Sequence, residues 1–342
     1  MKKFVRVMAL LLCLLALTGC GKEKKIEQPE ESELQVLKTR QLPAVSREET
    51  LGMLNHRLAN RALLVGEQLY TLDYDREYAP VLMRYRLSDD MLTEATELAL
   101  DCVPQWLCQW EDRLYYVNVR AGYAIESIGL ADTERSLVRE GPCHSLLIRD
   151  GLLYFCDGED RLCSLQIDGS GEQVLLENCD CPWLWGDAVL YRNTADGGRL
   201  HLVWPQEESD VALTGPSAWG GVVQGSRLWY VEGNSLCSLS LDSLERTRES
   251  LPATIDPPEL LMTGTQLWLR GVSDRNGPSQ WTARSSAPEE SLSYSDSTGY
   301  RLCDYLGDKI RVDTLYFPDG RVRCFLLVDA LGMETPFIAG RS

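Results

Sequence analysis

One pattern recurs along most of this 342-residue chain. The pair Leu69-Tyr70 returns as Leu114-Tyr115, Leu153-Tyr154, Leu228-Trp229 and Leu267-Trp268, and in degenerate form as Val189-Leu190 and Ile310-Arg311. Successive anchors lie 45, 39, 36, 39, 39 and 43 residues apart. A Gly or an acidic turn residue sits just ahead of each, among them Gly66, Asp112, Gly151, Gly186 and Gly225. Gly accepts positive φ there and Asp bonds its own backbone, so each reads as a tight turn. Residues 150–177 show the unit best. Leu153-Tyr154-Phe155 is a β-prone run, Asp157-Gly158-Glu159-Asp160 is a turn, residues 162–167 alternate, and Gln173 to Leu176 follows a second turn. A further apolar piece precedes the anchors, such as Trp106-Leu107 and Leu146-Leu147-Ile148.

Four short strands in roughly 40 residues are the signature of a propeller blade. One such sheet cannot bury both faces, whereas a ring of them can. The chain is therefore expected to be all-β, a β-propeller of about seven four-stranded blades. Six or eight remain open because the fourth, sixth and seventh units are degenerate. A β-sandwich with coincidental spacing is the competing architecture.

The first residues do not belong to that ring. Lys2, Lys3 and Arg6 precede an apolar run from Val7 to Leu17, which is too short for an ordinary membrane span. Leu17-Thr18-Gly19-Cys20 closes it and resembles a bacterial lipobox. The resemblance implies cleavage before Cys20 and a lipid on its thiol, hence a membrane-anchored, extracytoplasmic protein. The expected organisation is a signal peptide over 1–19, a lipidated flexible tether over 20–44 and the propeller over 45–342. The tether reading rests on the polar stretch from Gly21 to about Pro43. Ser46-Arg47-Glu48-Glu49 has the spacing of a helix capping box, although a strand that closes the ring would suit the same segment.

The net charge is -17, and loss of the three basic residues of the signal, with no acids, leaves -20. Nothing resembles the basic footprint of a nucleic-acid binder. Of twelve Cys, Cys13 and Cys20 fall outside the ring and ten remain. They read as small buried thiols, with Cys156 and Cys163 the best local disulfide pair and Cys102 with Cys108 a weaker one. With only His56, His144 and His201, no Gly-x-Ser-x-Gly elbow, no zinc-protease helix and no nucleotide-binding loop, no catalytic or cofactor signature stands out. No cofactor is expected. Calcium on the turn carboxylates Asp73-x-Asp75-x-Glu77 or Asp157-x-Glu159-Asp160 is the one metal the pattern leaves open.

The aromatics are more suggestive. Trp106, Trp183, Trp219 and Tyr300 lie six to ten residues before their anchors, and His144 takes a similar place. These positions map to the innermost strands, around the central channel. There they are candidate ligand-binding residues that stack on sugars or grip a peptide, or else they pack between adjacent blades.

Blades with an acidic-or-Gly turn, Leu-Tyr-Tyr, and then Cys163-Ser-Leu-Gln-Ile-Asp168-Gly-Ser resemble a family of exported bacterial propellers. That family is carried mostly by Gram-positive anaerobes and has no assigned function. The likeness extends loosely to TolB-like and low-density-lipoprotein-receptor-type propellers. It covers about residues 60–330 and carries no catalytic residue across. The sialidase turn motif is matched once only, out of register, at Ser293-Tyr-Ser-Asp296-Ser-Thr-Gly299. The Gly-Lys-x-x-Trp blade ending of outer-membrane assembly propellers is missing. The expectation is a non-catalytic platform that binds a protein partner or an envelope or extracellular glycan. The alternative is a glycoside hydrolase or polysaccharide lyase built on carboxylates at the channel mouth.

Overall fold

The computed structural model describes residues 28–250, apart from 41, 75–78, 89–90, 208 and 234, and beyond them the strands between Glu259 and Phe337. The described residues form seven four-stranded sheets, each made of four consecutive strands in sequence order. The blades span 62–100, 104–139, 143–176, 179–212, 218–250, 259–296 and 301–337. First strands of blades one to four touch in succession, and Ala62–Val65 of blade one meets Arg301–Leu306 of blade seven. The sheets therefore close into a β-propeller with the first strands at its centre. All seven Leu-type anchors occupy one place, the second residue of the second strand.

That place explains the pattern. Successive strand residues face opposite sides. Leu114 and Tyr116 pack with Tyr70 and Leu82 of blade one. Tyr115 and Val117 pack with Leu153 and Phe155 of blade three. The anchor faces the preceding blade and its neighbour faces the following one, so both are apolar in the first six blades. The same alternation rules out the candidate Cys156–Cys163 pair and leaves the expected buried thiols. Cys163 lies opposite Phe155 in the ladder and packs toward blade two, whereas Cys156 packs toward blade four. All eight described Cys, from Cys102 to Cys237, are free thiols, Cys108 included.

The segment ahead of the blades is the main departure from expectation. Residues 31–39, expected within the flexible tether, form a helix, α1 (Glu31–Thr39). Leu34 and Leu37 are buried in the core shared by blades four and five. Two apolar residues three apart suffice to dock one face, but a mostly charged stretch hides them. Gln28 donates its amide to buried Glu232 at 2.9 Å and also bonds Arg246. Arg40 pairs with Glu207 and lies over the Trp204 ring. The arm is thus strapped along the seam between blades four and five.

The chain then enters the ring. Val45 bridges Gly225, in the turn between the first two strands of blade five. A second helix, α2 (Arg47–Arg57), follows, so the capping-box reading holds and no closing strand forms. Ser46 Oγ accepts from the Glu49 N–H at 3.1 Å, and the Glu49 carboxylate accepts from the Ser46 N–H at 2.8 Å. α2 touches the first strands of blades three to seven and fills the central channel. Its buried residues, Thr50, Leu51, Met53, Leu54 and His56, point in every direction. Thr50 meets its polar need by donating to the Val223 carbonyl at 2.8 Å. Among the described residues no helix is long and apolar enough to cross a membrane.

Gly52 sits in α2 because nothing larger fits. A Cβ there would lie 2.9 Å from the ring of Trp183. Gly52→Leu raises intrinsic helix propensity yet is expected to lower stability by about 1–3 kcal/mol through overpacking. Thermal unfolding checks this, and a rise in melting temperature would show that the channel has room to spare.

Candidate functional site

The channel-lining strands share one irregularity. In blades two to five two residues of the first strand oppose one of the second, at Trp106-Leu107, Ser145-Leu146, Cys181-Pro182 and Gly220-Gly221. The first residue of each pair is left-handed, with φ of 50°, 56°, 48° and 85°. Each stands eight residues before its blade's anchor. A bulge of this kind turns backbone groups out of the ladder and re-aims them.

Here they are aimed at the end of α2. The Leu107 N–H donates to the Asn60 carbonyl at 3.3 Å, and Asn60 Nδ2 donates back to the Leu107 carbonyl at 2.9 Å. Arg57 donates to the Gly221 carbonyl at 3.0 Å. His56 hydrogen-bonds the Ser145 backbone. Trp106 Nε1–H adds a bond to the His56 carbonyl at 2.8 Å. Three blades thus hold the helix exit, on the face opposite the turn where Val45 enters.

Four of the five aromatic-type candidates converge on this exit. Trp106 stacks at a tilt on His144, with centroids 6.3 Å apart. His144 also bonds Ser145 Oγ and lies 3.6 Å from Asp160. Trp183 covers Gly52 and meets His56 edge to face at 6.0 Å. Trp219 stands half-buried beside them. Tyr300 lies outside the described residues. What these rings grip in the first instance is the protein's own helix. Sequence reasoning missed His56, Arg57, Asp180 and Arg192. A lone His at the end of a weakly marked helix gives no periodic signal, and the one pointer to its setting is Gly52.

Between blades four and five the grip leaves a gap. A cavity of about 200 Å³ opens here, walled by Trp183 and Trp219 and edged by His56, Arg57, Asp180 and Arg192. Arg192 Nη1 reaches Asp180 at 3.3 Å. The thiol of Cys181, at the bulge, is pushed up to about 12 by burial and stays protonated. The imidazole of His56 is held down at about 4 by burial, against the pull of its Ser145 bond, and is neutral at physiological pH.

The turn carboxylates are otherwise engaged. Asp157 is buried and accepts from the N–H groups of Glu159 and Arg161 and from the Arg161 guanidinium at 2.6 Å. Burial alone would raise its pKa, but these bonds outweigh it and hold the carboxyl below its usual range. Asp73 accepts from the Tyr85 hydroxyl. Asp75 and Glu77 lie outside the described residues. Among the described residues no group of three His, Cys, Asp or Glu side chains converges as a metal site.

No family model matches the chain, and no curated protein resembles it in sequence. Solved structures do share its shape. A puromycin-hydrolysing peptidase of Mycobacterium tuberculosis aligns over 86% of this chain at 10% identity, with a TM-score of 0.57. A prolyl endopeptidase aligns over 90% at 13% identity, with a TM-score of 0.54. The designed protein Ika8 aligns over 84% of this chain and 89% of its own length at 8% identity, with a TM-score of 0.51. The alignments cover 55% and 53% of the two peptidases, about half of each, where a propeller domain lies. At such identities the likeness is one of fold.

The histidines predict how stability follows pH. His56 has a folded pKa near 4 against 6.5 for the free side chain, so its contribution is complete above 6.5 and is lost as pH falls toward 4. A shift of that size corresponds to about 3 kcal/mol. His201 behaves oppositely. Burial opposes its charge, but bonds to Asp210 at 3.0 Å and Asp196 at 2.9 Å outweigh burial and raise its pKa. Its contribution is complete below 6.5 and is lost as pH rises through the raised value. Melting temperatures across this range are expected to show a shallower acid limb in His56→Phe and a shallower alkaline limb in His201→Asn. Unchanged limbs would refute these assignments.

Proposed function

We propose that this chain is an extracytoplasmic lipoprotein, tethered through Cys20, whose propeller binds an envelope or extracellular ligand rather than transforming it. The carrying observation is that α2 fills the channel and that a cavity with tryptophan walls opens where the helix ends. That face presents half-buried Trp106 and, walling a cavity, half-buried Trp183 and Trp219. The carboxylates beside it are engaged, Asp180 with Arg192 and Asp160 with His144. Half-exposed indoles with polar groups between them suit a glycan, with a protein partner the other class the face would serve.

Two measurements test this reading. Metabolic labelling with a palmitate analogue is expected to mark the chain in intact cells, and Cys20→Ala is expected to abolish the label. Envelope polysaccharides and peptidoglycan fragments titrated into the detergent-solubilised full-length protein are expected to quench tryptophan emission saturably, with no product formed on prolonged incubation. Turnover of any of them would replace the binding role by an enzymatic one. Silence across the panel, with no partner cross-linked in intact cells, would remove the binding role.

A further inference from the structure

The cavity at the helix exit holds two hydrogen-bonding groups with nothing to bond. His56 is 5% exposed. Its bond to the Ser145 backbone favours the protonated ring, so Nδ1–H donates to the Ser145 carbonyl. Its buried Nε2 has no partner. Arg192 gives Nη1 to Asp180, while its buried Nε–H also has no partner. Both residues line the same cavity. Folding alone gives no reason to leave a buried acceptor and a buried donor unmet in one place.

The two gaps specify chemistry. The neutral imidazole, donating from Nδ1, offers only a lone pair at Nε2, and Arg192 offers only an N–H. An ionised carboxylate cannot donate to the first, and an ammonium cannot accept from the second. A hydroxyl does both. The walls are the indoles of Trp183 and Trp219, which suit a ring with an apolar face and a polar edge. The volume of about 200 Å³ lies below the ~300–1,000 Å³ of sites for larger ligands.

We propose that this cavity is the subsite for one neutral sugar residue, packed on the indoles with its hydroxyls spanning His56 Nε2 and the Arg192 Nε–H. This rests on the binding role proposed above and narrows it to a site and a ligand class.

The test titrates glucose, galactose, mannose and N-acetylglucosamine into the full-length protein, with glucuronate and acetate as anionic counterparts. Tryptophan emission and saturation-transfer NMR report binding. At least one neutral sugar is expected to saturate, with glucuronate no tighter. His56→Phe keeps the ring and removes the acceptor. Arg192→Lys keeps a partner for Asp180 and removes the Nε–H. Each is expected to weaken the sugar by about ten-fold or more, as is Trp219→Ala. His56→Phe also removes the bond to the Ser145 carbonyl, so its affinity for the sugar, not its melting temperature, is the readout. Unchanged affinity would make His56 purely structural and overturn the proposal, as would tighter binding of glucuronate. If His56→Phe fails to fold, the Arg192 and Trp219 variants decide. Binding of a polymer without any monosaccharide would remove this subsite and leave the binding role standing, whereas silence in both experiments would remove both.

Discussion

A ring of seven sheets leaves a hole, and a hole lined by strands must be filled by water, a ligand or protein. Here it is filled by α2, and much else follows from that choice. Past its exposed first turn the helix is enclosed, so its fit is set by five first strands rather than by one. Gly52 yields to Trp183, and Thr50 finds a carbonyl on blade five. The repeated bulges supply backbone groups where the helix ends and its own ladder stops. Each described sheet keeps four strands of its own, so no strand is shared between the two ends of the chain. α2 instead touches both early and late blades and ties them together from within.

The site is a by-product of the same packing. Where bulges meet the helix exit squarely, at Leu107, Ser145 and Gly221, backbone and side chain are matched. Beside Cys181-Pro182, between blades four and five, a gap remains with Trp walls and polar edges. Bulges concentrate near functional sites because they break a regular ladder where a side chain must be re-aimed. The left-handed backbone at Trp106, Ser145 and Cys181, none of them Gly, is a cost held in place by the surrounding ring.

Much of the ring was legible in the sequence, because a blade needs an apolar anchor at a fixed place and the chain repeats it. Leu153-Tyr154 and even Ile310-Arg311 mark the second residue of the second strand. Trp106, Trp183 and Trp219 were legible as inner-strand residues, since their spacing to the anchors is a property of the blade. The occupant of the channel was not. A helix surrounded on every side has no single apolar face, so the period that betrays a surface helix is absent from residues 47–57. Nor was α1, where two leucines among charges dock the whole arm. His56 looked like an isolated histidine because its partners, Ser145 and Trp183, come from two blades far along the chain.

The strapped arm also sets a leash. Gln28, the first described residue, is bonded to Glu232 at the end of a second strand, on the same side of the disc as the helix exit. With the lipid on Cys20 as proposed, eight residues separate membrane from head. Fully extended they span at most about 29 Å. A leash of 24 residues would let the disc tumble and present either side outward, whereas one this short fixes the blade four–five rim near the lipid. The cavity then opens toward the bilayer rather than the medium. A ligand would have to reach it from the narrow gap beneath the disc, which favours chains anchored at, or threading along, the membrane surface over those diffusing freely outside.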